Sequence, residues 1–119
     1  MNTALRIAID EAFFQARKAL SEKAPTEAFS WLERAHILSQ RMAILHAQSH
    51  WLMLRAGWQL RDFREVPSQV PRIIAALLFS KIWVPLGNSG RARVSAFAPM
   101  PISPELQRLL QGETRHTRR

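Results

Sequence analysis

The sequence of 119 residues is 47% hydrophobic and 22% charged, which is typical of one globular domain and excludes an intrinsically disordered chain. It contains no cysteine, and this excludes disulfides, thiolate zinc sites and cysteine nucleophiles. The net charge of +8 is uneven, because residues 1–80 hold ten Lys/Arg against seven Asp/Glu, and residues 81–119 hold seven against two. We therefore predict one domain over residues 1–112 and a basic, flexible tail over residues 113–119. A nucleic-acid partner is not expected, whereas a protein partner is left open.

The sequence predicts neither export nor membrane insertion. Residues 1–14 include Asp10 and Glu11 and lack a basic leader followed by an unbroken apolar stretch. The longest apolar run, from Ile73 to Val84, is interrupted by Lys81 and is shorter than the roughly 20 residues that a membrane span needs. We expect a cytoplasmic bacterial protein.

Helical periodicity predicts an all-α bundle of four main helices and a short C-terminal helix. The first two helices are expected to bury apolar residues along one face, and the third to be surrounded by other helices because apolar residues cover most of its circumference. A stripe that includes Val70 and Leu78 is expected to be buried in the fourth. The expected spans are Thr3 to about Glu22, Pro25 to about Ser39, Met42 to about Leu60, about Ser68 to Trp83, and Ser103 through Leu110.

Three connecting segments are predicted with different reasoning. A turn near Ser39–Arg41 is inferred from helix length and from a shift in apolar phase. Pro67 and Pro71 argue against a continuous helix through that stretch, so a turn or irregular segment is expected before the fourth helix, where Asp62–Glu65 has capping-box spacing. The long segment from Val84 to Ile102 contains spaced apolar residues and is expected to be ordered across the bundle.

Four residues have the types and spacing of metal ligands. Glu33 and His36 are at i and i+3 on the second helix, and His46 and His50 are at i and i+4 on the third. If these helices turn back near Gln40, all four side chains converge between them. They could then bind one divalent transition metal, namely zinc, nickel or copper.

A purely structural interpretation of the same residues is also open. Buried histidines are often core residues with hydrogen-bond partners, and the stripe His46, His50, Met53 and Gly57 could be a close-packed helix seam. No catalytic residue is predicted, because the chain lacks tyrosine and cysteine and no serine has a nucleophile-elbow pattern. An enzyme, if there were one, would have to use the histidines and Glu33.

Two other polar segments carry weaker signals. Gly87, Asn88, Ser89, Gly90 and Arg91 could form a backbone nest for an anion, although a tight turn is the simpler interpretation. The charged run from Arg61 to Glu65 contains its own counterions and is interpreted as a local salt-bridge network at a bend.

Five blocks of the sequence form a recognisable set, namely the run from Leu32 to Arg41, the pair His46 and His50, the run Arg61–Val66, and the segments Val84–Asn88 and Val94–Ile102. Together they resemble a bacterial family, domain of unknown function 3703. The resemblance implies family membership over nearly the whole chain but no activity.

A weaker likeness concerns the first two helices. Ala16, Ala28 and Ala35 have the spacing of the small residues in a tetratricopeptide hairpin, although no second repeat is visible. A tetratricopeptide-like adaptor with structural histidines is therefore the alternative function.

Overall fold

The computed structural model describes residues 3–79, 90–91 and 99–118, with side chains described as far as Gly112. This part of the chain forms five α-helices and no strand, which confirms the predicted all-α fold. None of these helices is long and apolar enough to cross a membrane. The helices are α1 (Thr3–Ser21), α2 (Pro25–Ser39), α3 (Ala43–Leu60), α4 (Glu65–Phe79) and α5 (Pro104–Arg118).

Helices α1 and α2 form a hairpin around an apolar core. The turn uses Lys23 in the left-handed region, with φ 57°, and the Ala24 N–H donates to the Ala19 carbonyl at 2.8 Å. Pro25 then begins α2, where its missing N–H is not needed. Every apolar position predicted to be buried in this hairpin is buried, namely Leu5, Ile9, Ala12, Phe13, Ala16, Leu20, Ala28, Phe29, Leu32 and Ala35.

The turn between α2 and α3 confirms the predicted reversal. Helix α2 ends at Ser39, and the Met42 N–H donates to the Ser39 carbonyl at 2.9 Å. Ser39 also donates its hydroxyl to the Ala35 carbonyl at 2.6 Å. A connection of only three residues between packed helices makes them antiparallel, so the end of α2 lies beside the start of α3.

Helix α4 begins at Glu65, earlier than predicted, and is continuous through Pro67 and Pro71, so the expectation that these prolines forbid a continuous helix was wrong. The turn expected before the helix is present at residues 61–64. Asp62 Oδ1 accepts a hydrogen bond from the Glu65 N–H at 3.2 Å and caps the helix. Pro67 lies in the first turn, where an N–H has no helical partner. Pro71 lies inside the helix and removes one backbone bond, to the carbonyl of Pro67.

The exposed faces of α3 and α4 also differ from expectation. Trp51 and Trp58 of α3 are exposed, so this helix is not surrounded, although it packs against α1, α2 and α4. Most of the apolar stripe predicted to be buried in α4 is exposed, and the buried residues of that helix are Glu65, Gln69 and Ala76. The exposed residues of the stripe are Val70, Ile74, Leu77 and Leu78.

Helix α5 packs on the hairpin through Leu106, which is buried, and through an ion pair between Arg34 and Glu105. Its backbone continues to Arg118, beyond the predicted end at Leu110, because Gly112 weakens a helix without ending it. Of the segment from Val84 to Ile102, Val94 and Phe97 lie outside the described residues, as does the preceding Trp83. Ile102 packs against the core as expected.

Candidate metal centre

Three histidines from two helices meet at the α2–α3 turn. His36 lies in the last turn of α2, His46 in the first turn of α3, and His50 one turn later. Their Nε2 atoms are 3.0 Å (His36–His46), 3.1 Å (His36–His50) and 3.2 Å (His46–His50) apart. All three side chains are buried. The antiparallel turn therefore brings three nitrogen donors to one point.

The outer ring nitrogens show which tautomers two of these histidines adopt. His50 Nδ1 lies 2.6 Å from Gln69 Oε1, which can only accept, so Nδ1 carries the proton and Nε2 keeps its lone pair. His46 makes a hydrogen bond to the backbone of Gln40 that raises its pKa, as a carbonyl acceptor does. Since Nε2 of His46 faces the other rings, Nδ1 is the nitrogen left for this bond. Two lone pairs thus converge on the centre of the cluster.

Burial keeps two of the imidazoles neutral. It lowers the pKa of His46 from the ordinary value of 6.5 to about 4, although the hydrogen bond to the Gln40 backbone raises this pKa by a smaller amount. Burial also lowers the pKa of His50 to about 3, helped by the charges of His46 and Arg72. A metal ion requires neutral imidazole, so both rings are ready to ligate at neutral pH.

The orientation of Gln69 is fixed by α4 and by a short segment beyond it. The Gln69 amide donates to Glu65 Oε2 and to the Gly90 carbonyl, both at 3.0 Å. Because both partners are acceptors, the amide oxygen must face His50. Arg72 also donates to the Gly90 carbonyl, at 2.6 Å. A chain of hydrogen bonds therefore runs from the backbone at residue 90 to a cluster nitrogen.

Gly90 covers the ring of His36 in a way that requires glycine. Its φ is +84°, a region that residues with a Cβ rarely adopt. A Cβ at this position would lie 2.9 Å from Cδ2 and 3.0 Å from Nε2 of His36. The Gly90 backbone thus lies closer to the His36 ring than it could if residue 90 had a side chain.

The fourth predicted ligand, Glu33, is directed elsewhere. Its carboxylate lies 3.3 Å from the Arg91 guanidinium, which also pairs with the buried Glu65 and stacks 3.7 Å above the Phe29 ring. Among the described residues, the group of ligand atoms close enough for one ion contains the three histidines without Glu33.

The predicted anion nest is only partly described, because Gly87, Asn88 and Ser89 lie outside the described residues. Gly90 and Arg91 are described, and both belong to the network of hydrogen bonds and ion pairs beside the histidine cluster. The Gly90 carbonyl accepts from Gln69 and Arg72, and the Arg91 side chain pairs with two carboxylates. Anion binding by this segment stays a prediction.

A family model described as Protein of unknown function (DUF3703) matches residues 3–110. The chain belongs to this family. The match includes His36, His46 and His50 and agrees with the resemblance drawn from the sequence blocks. Comparisons with curated proteins and with solved structures give no match.

The sequence did not single out Glu65 and Gln69 as partners of the cluster. Glu65 has the position of a capping-box acid, yet its side chain is 1% exposed and turned into the protein. Glu65, an acid of the run Arg61–Glu65, pairs with the distant Arg91. A local salt-bridge network at this bend stays a prediction. The available signal was the i, i+4 spacing of Glu65 and Gln69, which places both on one face of α4.

Proposed function

We propose that this protein binds one divalent transition metal through Nε2 of His36, His46 and His50. The observation that carries the proposal is the convergence of these three atoms, at 3.0–3.2 Å, from buried rings. Two of them are held as lone-pair donors by Gln69 and by the backbone of Gln40. Such outer hydrogen bonds orient histidine ligands in metal sites.

The spacing of the nitrogens suits an ion of this class. Metal–nitrogen bonds of about 2.0–2.1 Å in a tetrahedral site separate neighbouring nitrogens by about 3.3–3.4 Å. The observed distances are only slightly shorter, so a small outward movement of each ring would complete the geometry. Imidazole ligands suit zinc, nickel and copper, and copper binds most tightly in vitro.

The pH range of binding follows from burial. With an ordinary histidine pKa, metal affinity would fall as pH drops through about 6.5. The lowered pKa values of His46 and His50, about 4 and about 3, move competition by protons to more acidic solution. We therefore expect the site to bind metal at pH values well below 6.5.

Calorimetry of untagged protein with zinc, nickel and copper at neutral pH tests the proposal. We expect one ion per chain. Metal should also raise the melting temperature, because a free metal concentration of 100 times the dissociation constant adds about 2.7 kcal/mol to the free energy of unfolding. His46→Ala and His50→Ala should abolish both effects. His116→Ala, which removes the fourth histidine of the sequence, is the matched control and should keep them. Absence of binding for all three metals would refute the proposal.

A second candidate function, a protein-interaction adaptor, is favoured by the exposed apolar face of α4. Ile74 and Leu78 are 54% and 63% exposed, and the small residues Ala16, Ala28 and Ala35 are fully buried in the hairpin core. An adaptor should lose its partner when Leu78 is changed to Glu. Partner binding should be insensitive to chelator and to His46→Ala. If both abolish partner binding, the interaction depends on the metal site and does not support a separate adaptor function.

A further inference from the structure

We propose that a metal held by the three histidines keeps a coordination position open on one side, and that this position takes a small anion from solution. The inference rests on the proposed metal function and extends it to the class of ligand that the bound ion would accept.

The nitrogen triangle is too small to hold an ion in its plane. With sides of 3.0–3.2 Å, its centre lies about 1.8 Å from each Nε2 atom, less than the usual bond of about 2.0–2.1 Å. The ion must therefore stand about 1 Å to one side of the plane, at ordinary bond lengths. All three histidine ligands then lie on one side of the ion, and none of them occupies the opposite side.

The nearby carboxylates are already used. Glu65 is 1% exposed and accepts hydrogen bonds from Gln69 and Arg91. Glu33 pairs with Arg91, and the histidine group of the described residues includes neither acid. Gly90, which lies against His36, contributes no side chain. Within the described residues, therefore, the structure offers three ligands, the number found in metal sites that bind an exchangeable molecule.

Charge and size determine which molecule this would be. Three neutral imidazoles leave the two positive charges of the ion uncompensated, and an anion compensates them best. Arg72 and Arg91 lie in the same hydrogen-bond network and balance Glu33 and Glu65, so the acids do not repel an anion on their own. The histidines are only 2–7% exposed, which favours an anion of a few atoms.

Cobalt(II) in place of the physiological metal provides the test, because its visible absorption reports the number and type of its ligands. The full chain loaded with cobalt is titrated with sodium azide and, separately, with the weakly coordinating sodium perchlorate at equal ionic strength. We expect azide to shift the cobalt bands in a saturable way and perchlorate to leave them unchanged.

The Glu33→Gln variant tests whether the fourth coordination position is open or is filled by the Glu33 carboxylate. We expect the variant to show the same cobalt bands and the same response to azide as the unchanged chain. Bands that ignore azide in the unchanged chain, or respond to it only in Glu33→Gln, would overturn the open position while leaving metal binding intact. Failure of cobalt and zinc to bind would overturn the proposed function, and this inference with it.

Discussion

The α1–α2 hairpin and the α3–α4 pair differ in how well helical periodicity describes which residues are buried. In the hairpin, apolar residues at helical spacing are buried, as Leu5, Ile9 and Leu32 illustrate. In the α3–α4 pair, polar residues such as Glu65 and Gln69 are buried while the large apolar side chains of Trp58 and Leu78 are exposed. Helix periodicity alone describes the first pair and misplaces much of the second.

The contrast indicates that one pair of helices mainly stabilises the fold and the other mainly positions polar side chains. Burying apolar side chains lowers the free energy of the folded chain, whereas burying polar groups is tolerated only when their hydrogen bonds are made. Around His50 they are made, through Gln69, Glu65 and the Gly90 carbonyl. We infer that the hairpin supplies most of the stability and that the α3–α4 pair holds the histidine cluster in place.

The largest expected effect is on the hairpin. Leu32 has no exposed surface, so Leu32→Ala should lower the free energy of unfolding by about 2–5 kcal/mol. Denaturant unfolding measures this change directly. Substitutions at exposed sites usually change the free energy of unfolding by about 0.5 kcal/mol or less. A loss for Leu32→Ala close to that value, below about 1 kcal/mol, would mean that the hairpin is not the main source of stability.

The next effect concerns the outer hydrogen bond of the cluster. Gln69→Leu removes the acceptor that holds His50 Nδ1, and zinc affinity should fall by about 10–100-fold. Gln59→Leu is the matched control, because Gln59 donates to the Leu20 carbonyl and lies more than two turns beyond His50 on α3. Equal zinc affinities for the two variants, measured by competition with a chromophoric chelator, would contradict the role given to Gln69.

The buried histidines should also make the metal-free fold sensitive to acid. Their folded-state pKa values, about 4 for His46 and about 3 for His50, lie below the ordinary 6.5. The unfolded chain therefore binds more protons below pH 6.5, so stability is complete above that pH and declines as pH falls toward 4. The slope should approach about 1.4 kcal/mol per pH unit for each group.

Denaturant unfolding with chelator present, between pH 7 and about 4.5, above the ordinary range of most carboxyl groups, measures this slope. His46→Ala should reduce the slope. The stability of each protein is compared with its own value at pH 7, so that a general loss of stability in the variant does not affect the slope. An unchanged slope in that variant would show that His46 is not the titrating group.

The smallest effect is expected on the exposed face of α4. Leu78 is 63% exposed, and Leu78→Ala should change the free energy of unfolding by no more than about 0.5 kcal/mol. It is the same substitution as Leu32→Ala, made in the other half of the molecule. A loss as large as that of Leu32→Ala would show that this face is covered in solution and would remove the contrast between the two pairs of helices.

Local spacing by itself determined the five helices, the buried face of the hairpin and the turn near Gln40, because apolar periodicity and helix breaks are properties of neighbouring residues. It also placed His46 and His50 on one face of a helix and brought His36 near them. Only the tertiary structure decided that Glu33 pairs with Arg91, that Glu65 and Gln69 are buried, and that Gly90 covers His36. Those contacts join residues that are distant in sequence, and whether a polar side chain is buried depends on partners that another helix or segment supplies.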